Sequence, residues 1–362
     1  MPTVAISQPI DAVVAGYLGV DLTPGFNATR AVVPFSELFR PGKLIETEGL
    51  NVSLGGVVAN TGLALQRFGQ RVELMGYVGN DALGDMAVAR LAQAGVINGI
   101  RRTAKAGTAY GLVIAPPGMD RFFLEDPGCN RCFTAADIDY DVVRQCRLFH
   151  FGYPPLMQAL WTNGGAELQK LFRNVRELGV TTSLDMTLPD ADSPAGQADW
   201  PAILAGTLPL VDIFVPSIEE LLFMLDRPLY VRCLAESAGG DMIAVIPPEV
   251  YDRLADRLLA LGVKTLLIKA GSRGGYLRTG DLHGTWLAPF PVDPKRFCNA
   301  CGAGDCAVAG FLATLLNGTD VITAGRFAML AGRDNLYGPD AVSGLQEWAQ
   351  MSRLVKGSEN KP

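Results

Sequence analysis

Cys298-Asn299-Ala300-Cys301-Gly302-Ala303-Gly304-Asp305-Cys306-Ala307-Val308-Ala309-Gly310-Phe311-Leu312 passes from small residues straight into an apolar helix that carries one carboxylate in its first turn. Gly302 and Gly304 allow a ligand to approach the backbone closely, and the open N–H groups of a helix's first turn bind an anion without any cationic side chain. An aspartate placed there can take the proton of a hydroxyl that attacks a phosphate. Taken alone, the same run is equally a tight loop with an ordinary first-turn aspartate, because Asp is favoured at helix N-termini. The rest of the chain separates the two readings.

At Gly55-Gly56-Val57-Val58-Ala59-Asn60-Thr61-Gly62 a second small-residue loop opens a helix over residues 59–68, followed by a strand over 72–78 and then Gly79-Asn80-Asp81. Ile268-Lys269-Ala270-Gly271-Ser272-Arg273-Gly274-Gly275 reads as a strand ending in a glycine turn. Further strand-like runs fall at 12–18, 148–151, 181–185, 212–215 and 265–269, and helix-like runs at 84–94, 167–178, 251–261 and 305–316. This alternation predicts an α/β fold with a mostly parallel sheet covered on both faces. Ligands then lie beyond the carboxyl ends of the strands, where the glycine loops are.

Two segments break the alternation. Residues 22–50 lack helical periodicity, and 108–126 read as two extended runs, 109–115 and 121–125, joined by Pro116-Pro117-Gly118-Met119-Asp120, a hairpin signal. Residues 225–248, with Gly239-Gly240 and Pro247-Pro248, read as a surface insertion, and the polar stretch 356–362 as a disordered tail.

A chain of 362 residues, 49% of them hydrophobic, is long enough to bury a large core plus a smaller appendage. Its net charge of −6 argues against nucleic acid or an anionic membrane as partner. The most apolar stretches, such as 148–160, are broken by His150, Gly152, Pro154 and Pro155, so neither a signal peptide nor a membrane span is supported and the cytoplasm is the expected compartment. Seven cysteines, an odd number, fit a reducing compartment. Cys129-Asn130-Arg131-Cys132 and Cys298-Asn299-Ala300-Cys301 have thiolate-zinc spacing, but no other zinc-ribbon feature accompanies them. Inert packing is the favoured reading, with a redox-sensitive thiol near the phosphate loop as the alternative. There is no Gly-x-x-x-x-Gly-Lys-Ser/Thr, which excludes a P-loop, and no Gly-x-Gly-x-x-Gly after the first strand.

In their order and separations the three glycine-bearing elements resemble the ribokinase-like, PfkB-type carbohydrate kinases, over nearly the whole chain from Val13 to about Gly344. The resemblance implies one kinase domain over residues 1–344, followed by a C-terminal extension, 345–362. The domain would be a three-layer α/β/α sandwich with a small β-sheet lid drawn from about 22–50 and 108–126. In relatives such a lid also forms a homodimer interface. It implies Asp305 as catalytic base, with Gly302, Ala303 and Gly304 as an anion hole, and Asp21, Gly55, Gly56 and Asn60 as sugar-binding residues. ATP would lie against Ser217, Glu220, Lys269, Gly271, Arg273 and Gly274.

In Val215-Pro216-Ser217-Ile218-Glu219-Glu220, Ser217 stands where the family has an asparagine, while Glu220 matches the glutamate that orients Mg²⁺ through water. The same two residues also satisfy a helix capping box. Asn299 and Cys301 stand where many relatives place an aspartate and a threonine that ligate a monovalent cation. Magnesium dependence with little response to potassium is therefore expected.

Relatives acting on sugar phosphates need cations for the second phosphate, and the lid strands offer only Arg121, after Arg101, Arg102 and Lys105 upstream. An unphosphorylated sugar is the expected substrate. A nucleoside is the alternative, with Phe122 and Phe123 covering a purine, although alternating aromatics also pack a lid's own core. A sugar sensor without catalysis is the third reading. The intact Gly-Ala-Gly turn and Asp305 argue against it.

Overall fold

The structure, a computed structural model, describes residues 10–27, 32–118 and 121–358. Its first strand, Ile10–Gly16 (β1), is buried at every position, which only a strand covered on both faces can be. Successive side chains point to opposite faces. Val13 and Ala15 join a core with Phe149, Phe151 and Phe172, while Ala12 and Val14 join a separate one with Val308, Leu312 and Phe327.

The other strands are Gly19–Pro24 (β2), Leu50–Gly55 (β3), Val72–Gly79 (β4), Gly99–Thr103 (β5), Ala109–Ile114 (β6), Phe122–Asp126 (β7), Cys146–Gly152 (β8) and Thr181–Asp185 (β9). Ile213–Phe214 (β10), Thr265–Lys269 (β11), Gly275–Thr279 (β12) and Thr285–Leu287 (β13) complete them. A nine-stranded sheet runs β13-β12-β11-β10-β9-β8-β1-β4-β5, parallel except where β12 and β13 turn back antiparallel at one edge. The expected layered α/β architecture and mostly parallel sheet are thus present.

A second sheet, β3-β2-β6-β7, stands apart as the lid. The hairpin read from Pro-Pro-Gly is there, with Val113 opposite Phe123; Met119 and Asp120 of its turn lie outside the described residues. The segment 22–50 contributes less regular structure than expected: the ends of two strands and the short helix Phe35–Leu38. The strand read over 12–18 in fact breaks at Gly16, and after Tyr17-Leu18 the chain enters the lid as β2.

Two other expectations need correction. Residues 225–248 are not a mere surface insertion. They form the helix Arg227–Glu236 and a following turn, and Leu229, Cys233, Met242, Ile243 and Ile246 are buried. The extension after 344 folds back as the helix Trp348–Ser358, which includes Lys356; Met351 and Val355 are buried, and Trp348 stacks on Phe327 at 4.4 Å. An apolar face at Trp348, Met351 and Val355, at helical spacing, outweighs the polar residues around it. The rest of the expected disordered tail, residues 359–362, lies outside the described residues.

Candidate active site

The first turn of the helix Ala303–Leu316 faces a cavity of about 1590 Å³ at the carboxyl ends of the central strands, roofed by the lid. Gly302 precedes the helix with φ 79°, and a Cβ there would lie 2.5 Å from the Ala341 Cβ, so only glycine fits. At Gly304 a Cβ would touch only the Lys269 side chain, at an ordinary 3.7 Å. The fold does not demand glycine at that second position; its missing methyl leaves room above the helix terminus. Among the described residues no acceptor takes the N–H groups of Gly302 or Gly304, whereas that of Ala303 leans on the Ala300 carbonyl at 3.4 Å. The loop before the helix is fixed from outside: the Cys298 N–H donates to Leu336, and the Asn299 amide to Gly338, each at 2.8 Å.

Asp305 is almost fully buried, and its carboxylate is surrounded by donors. Asn60 Nδ2 donates to Oδ2 at 2.9 Å, Thr61 Oγ1 to Oδ1 at 3.3 Å, and the Tyr153 hydroxyl reaches both oxygens at 2.8 Å. Burial raises its pKa, and Asn60, Lys269, Tyr153 and Thr61 pull the other way. The helix Val57–Arg67 that carries Asn60 and Thr61 starts at Gly56, so the second small-residue loop and the Asp305 loop converge.

Beside Gly304, Lys269 at the end of β11 makes a buried ion pair with Asp185 at the end of β9, at 2.6 Å. Burial disfavours the ammonium, but Asp185 and Glu220 outweigh it and the lysine pKa rises. Asp185 carried no sequence expectation; its place at a strand's carboxyl end, like that of Lys269, was the available signal.

At the lid end, Asp21 on β2 faces the cavity with Gly56 and Asn60. Gly55 lies behind it, where a Cβ would come within 2.5 Å of Asp21 Oδ1. Glu125 on β7, missed in the sequence, is its neighbour: a Cβ at Gly111 would lie 2.5 Å from Glu125 Oε2 and 3.2 Å from Asp21 Oδ1. Tyr17 donates its hydroxyl to Glu125. Burial and then the charge of Asp305 push Asp21 up to about 6. Glu125 is exposed at the surface of β7, yet desolvation where it borders the cavity pushes it up to about 7 against the Tyr17 hydrogen bond, with Asp21 and Asp126 adding to the rise.

The nucleotide-side candidates divide. Gly271 and Gly274 line the cavity together with Ser272, Ser217 and Glu220. Arg273 does not reach it: its guanidinium donates to the carbonyls of Ile246 at 2.6 Å and Ile243 at 3.3 Å, and packs over Trp286 and Tyr251, tying down the 225–248 segment. Ser217 and Glu220 form the capping box, Ser217 N–H donating to Glu220 Oε2 at 2.7 Å and Glu220 N–H to Ser217 Oγ at 3.2 Å. That leaves Glu220 Oε1, a hard oxygen ligand, on the cavity wall. Among the described residues no group of three or more His, Cys, Asp or Glu could hold a metal by itself. All seven cysteines are free thiols.

An apolar wall of Pro289, Phe290, Val292, Phe297, Met329 and Leu336 closes the same end. Of the lid residues, Phe122 packs edge-on against Phe35 at 5.3 Å and Phe39 at 5.9 Å, while Phe123 lines the cavity. Arg131 also reaches the cavity, beyond the strands where cations had been sought, and pairs with Asp126 at 2.8 Å. Neither of the two histidines lines the cavity, and His150 is fully buried in the core.

The pfkB family carbohydrate kinase profile matches residues 27–335. The chain is 29% identical over 266 residues to an uncharacterized sugar kinase of Archaeoglobus fulgidus, covering 73% of this chain and 90% of the relative. It is 25% identical over 325 residues to the probable fructokinase-4 of Arabidopsis thaliana, covering 87% and 91%. A structure of Arabidopsis thaliana ribokinase complexed with ribose and ATP superposes with a TM-score of 0.73 at 19% identity, over 96% of this chain and 99% of that one. No helix among the described residues is long and apolar enough to cross a membrane.

Proposed function

The chain belongs to the PfkB family of carbohydrate kinases, and on that premise we propose that it transfers the γ-phosphoryl group of ATP to a hydroxyl of an unphosphorylated sugar, with Asp305 as base. One observation carries this reading: the Asp305 carboxylate and the open N–H groups of Gly302 and Gly304 face the same cavity as Asp21 and Asn60. Asp305 orients the attacking hydroxyl and accepts its proton. The two N–H groups stabilise charge on the transferring phosphoryl, and Lys269 stands next to them as a fixed cation.

Asp21, Gly56 and Asn60 hold the remaining sugar hydroxyls. The base of ATP lies on the apolar wall from Pro289 to Leu336, with its phosphates over Gly271 and Gly274. Glu220 would hold Mg²⁺ through water, and the ion would supply positive charge against the phosphates. Asn299 is spent on Gly338 and on the Cys301 N–H, so potassium finds no carboxylate there.

The lid side supports a sugar without phosphate: Asp21 and Glu125 are both acidic, Arg131 is already paired with Asp126, and Arg121, the other lid cation on the cavity, packs over the Phe123 ring at 5.9 Å. A second phosphate there would face two carboxylates and would have to draw Arg121 off Phe123, a costly arrangement. The test is kcat/KM across free ketoses and aldoses, fructose 6-phosphate, fructose 1-phosphate, tagatose 6-phosphate and nucleosides at one ATP concentration. A free monosaccharide, a furanose or ketose with an exocyclic primary hydroxyl, is expected first, and a sugar phosphate in that place overturns the lid-charge argument. Phe123, 48% exposed on the cavity wall, favours a nucleoside as second reading, and adenosine in first place would establish it.

A further inference from the structure

Nothing in the sequence singles out Tyr153. It follows β8 directly and adopts φ 65°, a left-handed conformation that is uncommon and strained for a bulky residue. That backbone turns its ring toward the cavity and its hydroxyl onto Asp305, equidistant from the two carboxylate oxygens at 2.8 Å.

A carboxylate offers about four acceptor positions. Asn60 uses one on Oδ2 and Thr61 one on Oδ1, and the remaining position on each oxygen is shared by the single Tyr153 hydroxyl. A substrate hydroxyl bringing its proton to Asp305 therefore finds no open acceptor until one donor leaves. Asn60 and Thr61 are 8% and 0% exposed on a packed helix. Tyr153 lines the cavity, and its one hydrogen is divided between two oxygens.

We propose that Tyr153 is a positioning residue that caps Asp305 until a sugar hydroxyl displaces it, and so withholds the base from water while the sugar site is empty. The inference rests on Asp305 being the base. Without the cap, a water oxygen would attack the γ-phosphorus as its proton passes to Asp305. The bond from that phosphorus to the ADP oxygen would break, releasing ADP and inorganic phosphate. The other groups acting on the Asp305–Tyr153 pair are Lys269, Asp185, Asp21, Glu220 and Cys306. All of them stay in place when only the hydroxyl is removed.

The experiment measures ATP hydrolysis with magnesium and no sugar for wild type, Tyr153→Phe, and Tyr153→Phe combined with Asp305→Asn. Binding of a non-hydrolysable ATP analogue, followed by calorimetry, checks the fold. Tyr153→Phe is expected to hydrolyse ATP several-fold faster than wild type at unchanged analogue affinity, and the double variant to lose that gain. Tyr153→Leu, which also lacks the hydroxyl, is expected to behave alike, so a folding defect in one variant leaves the other to decide.

With the most active sugar, the acid limb of kcat/KM should move to higher pH in Tyr153→Phe. The limb of kcat should stay, because the first reports the capped free enzyme and the second the complex from which Tyr153 has withdrawn. No rise in sugar-free hydrolysis, or an equal shift of both limbs, overturns the proposal. A rise that survives Asp305→Asn instead overturns the role of Asp305 as base.

Discussion

The two ends of the cavity treat their carboxylates in opposite ways. Asp305 is held by Asn60, Thr61 and Tyr153. Among the described residues no donor reaches Asp21, and only burial and the charge of Asp305 act on its pKa. Glu125 has one donor, Tyr17, and still rises. The Asp305 end has its hydrogen bonds in place before any ligand arrives, because Asn60 and Thr61 stand on a packed helix and Tyr153 directly follows β8. The lid end carries a deficit of donors that sugar hydroxyls are suited to fill. On the proposed function, preorganisation at one end and unsatisfied acceptors at the other divide catalysis from recognition.

The sharpest way to break this division is at the base. Asp305→Asn keeps the shape of the side chain and should leave folding and nucleotide affinity nearly intact while lowering kcat by about 10² or more, the scale of a lost general base. Steady-state kinetics with the best sugar checks it, and a variant keeping a tenth of wild-type turnover would remove Asp305 from the chemistry.

Asp21→Asn probes the other end. A lost hydrogen bond to a charged acceptor should lower kcat/KM by about 10- to 100-fold, mostly through KM. In the wild type, sugar affinity should weaken as pH falls through about 6, where Asp21 takes up a proton, and the variant should lack that inflection. Equal losses in kcat and kcat/KM would place Asp21 in the chemistry instead.

The smallest effect concerns stability. The folded-state pKa of Glu125 is raised from 4.5 to about 7, so the folded chain binds the proton more tightly than the unfolded one. Its contribution is fully present below about pH 4.5 and is lost as pH rises through about 7. Glu125→Gln cannot lose it. Near pH 5 the variant should match wild type, and at pH 8 exceed it by about 1–2 kcal/mol after allowance for partial exposure, read from urea midpoints. Equal stability at both pH values would mean that water, not burial, governs that carboxylate.

The parallel sheet was legible because buried strands and amphipathic helices leave different periods in the sequence, and the hairpin because Pro-Pro-Gly forces a reversal. The strands β2 and β3 were not, since their lid residues are half-exposed and pair across a long connection that leaves no local mark. The same limit applies to the site. Gly302, Gly304, Asp305 and Asn60 stand at or just inside helix starts that follow glycine-rich turns, and the family resemblance carried by those turns pointed to them. Tyr153, Asp185 and Glu125 acquire their roles only from the partners that folding brings beside them. Arg273 shows the converse error: a cation next to a glycine turn suggests phosphate, yet the carbonyls of Ile243 and Ile246 claim it.

The helix that carries Asp305 is buried almost from end to end, sheathed by the helices Val57–Arg67 and Val321–Asn335. An element with no solvent face tolerates little change, whereas lid strands with exposed residues such as Tyr110, Phe123 and Leu124 tolerate much. Changes to the roof of the cavity can therefore alter the acceptor while its floor stays fixed, the same reaction serving a different hydroxyl without any change to the helix beneath.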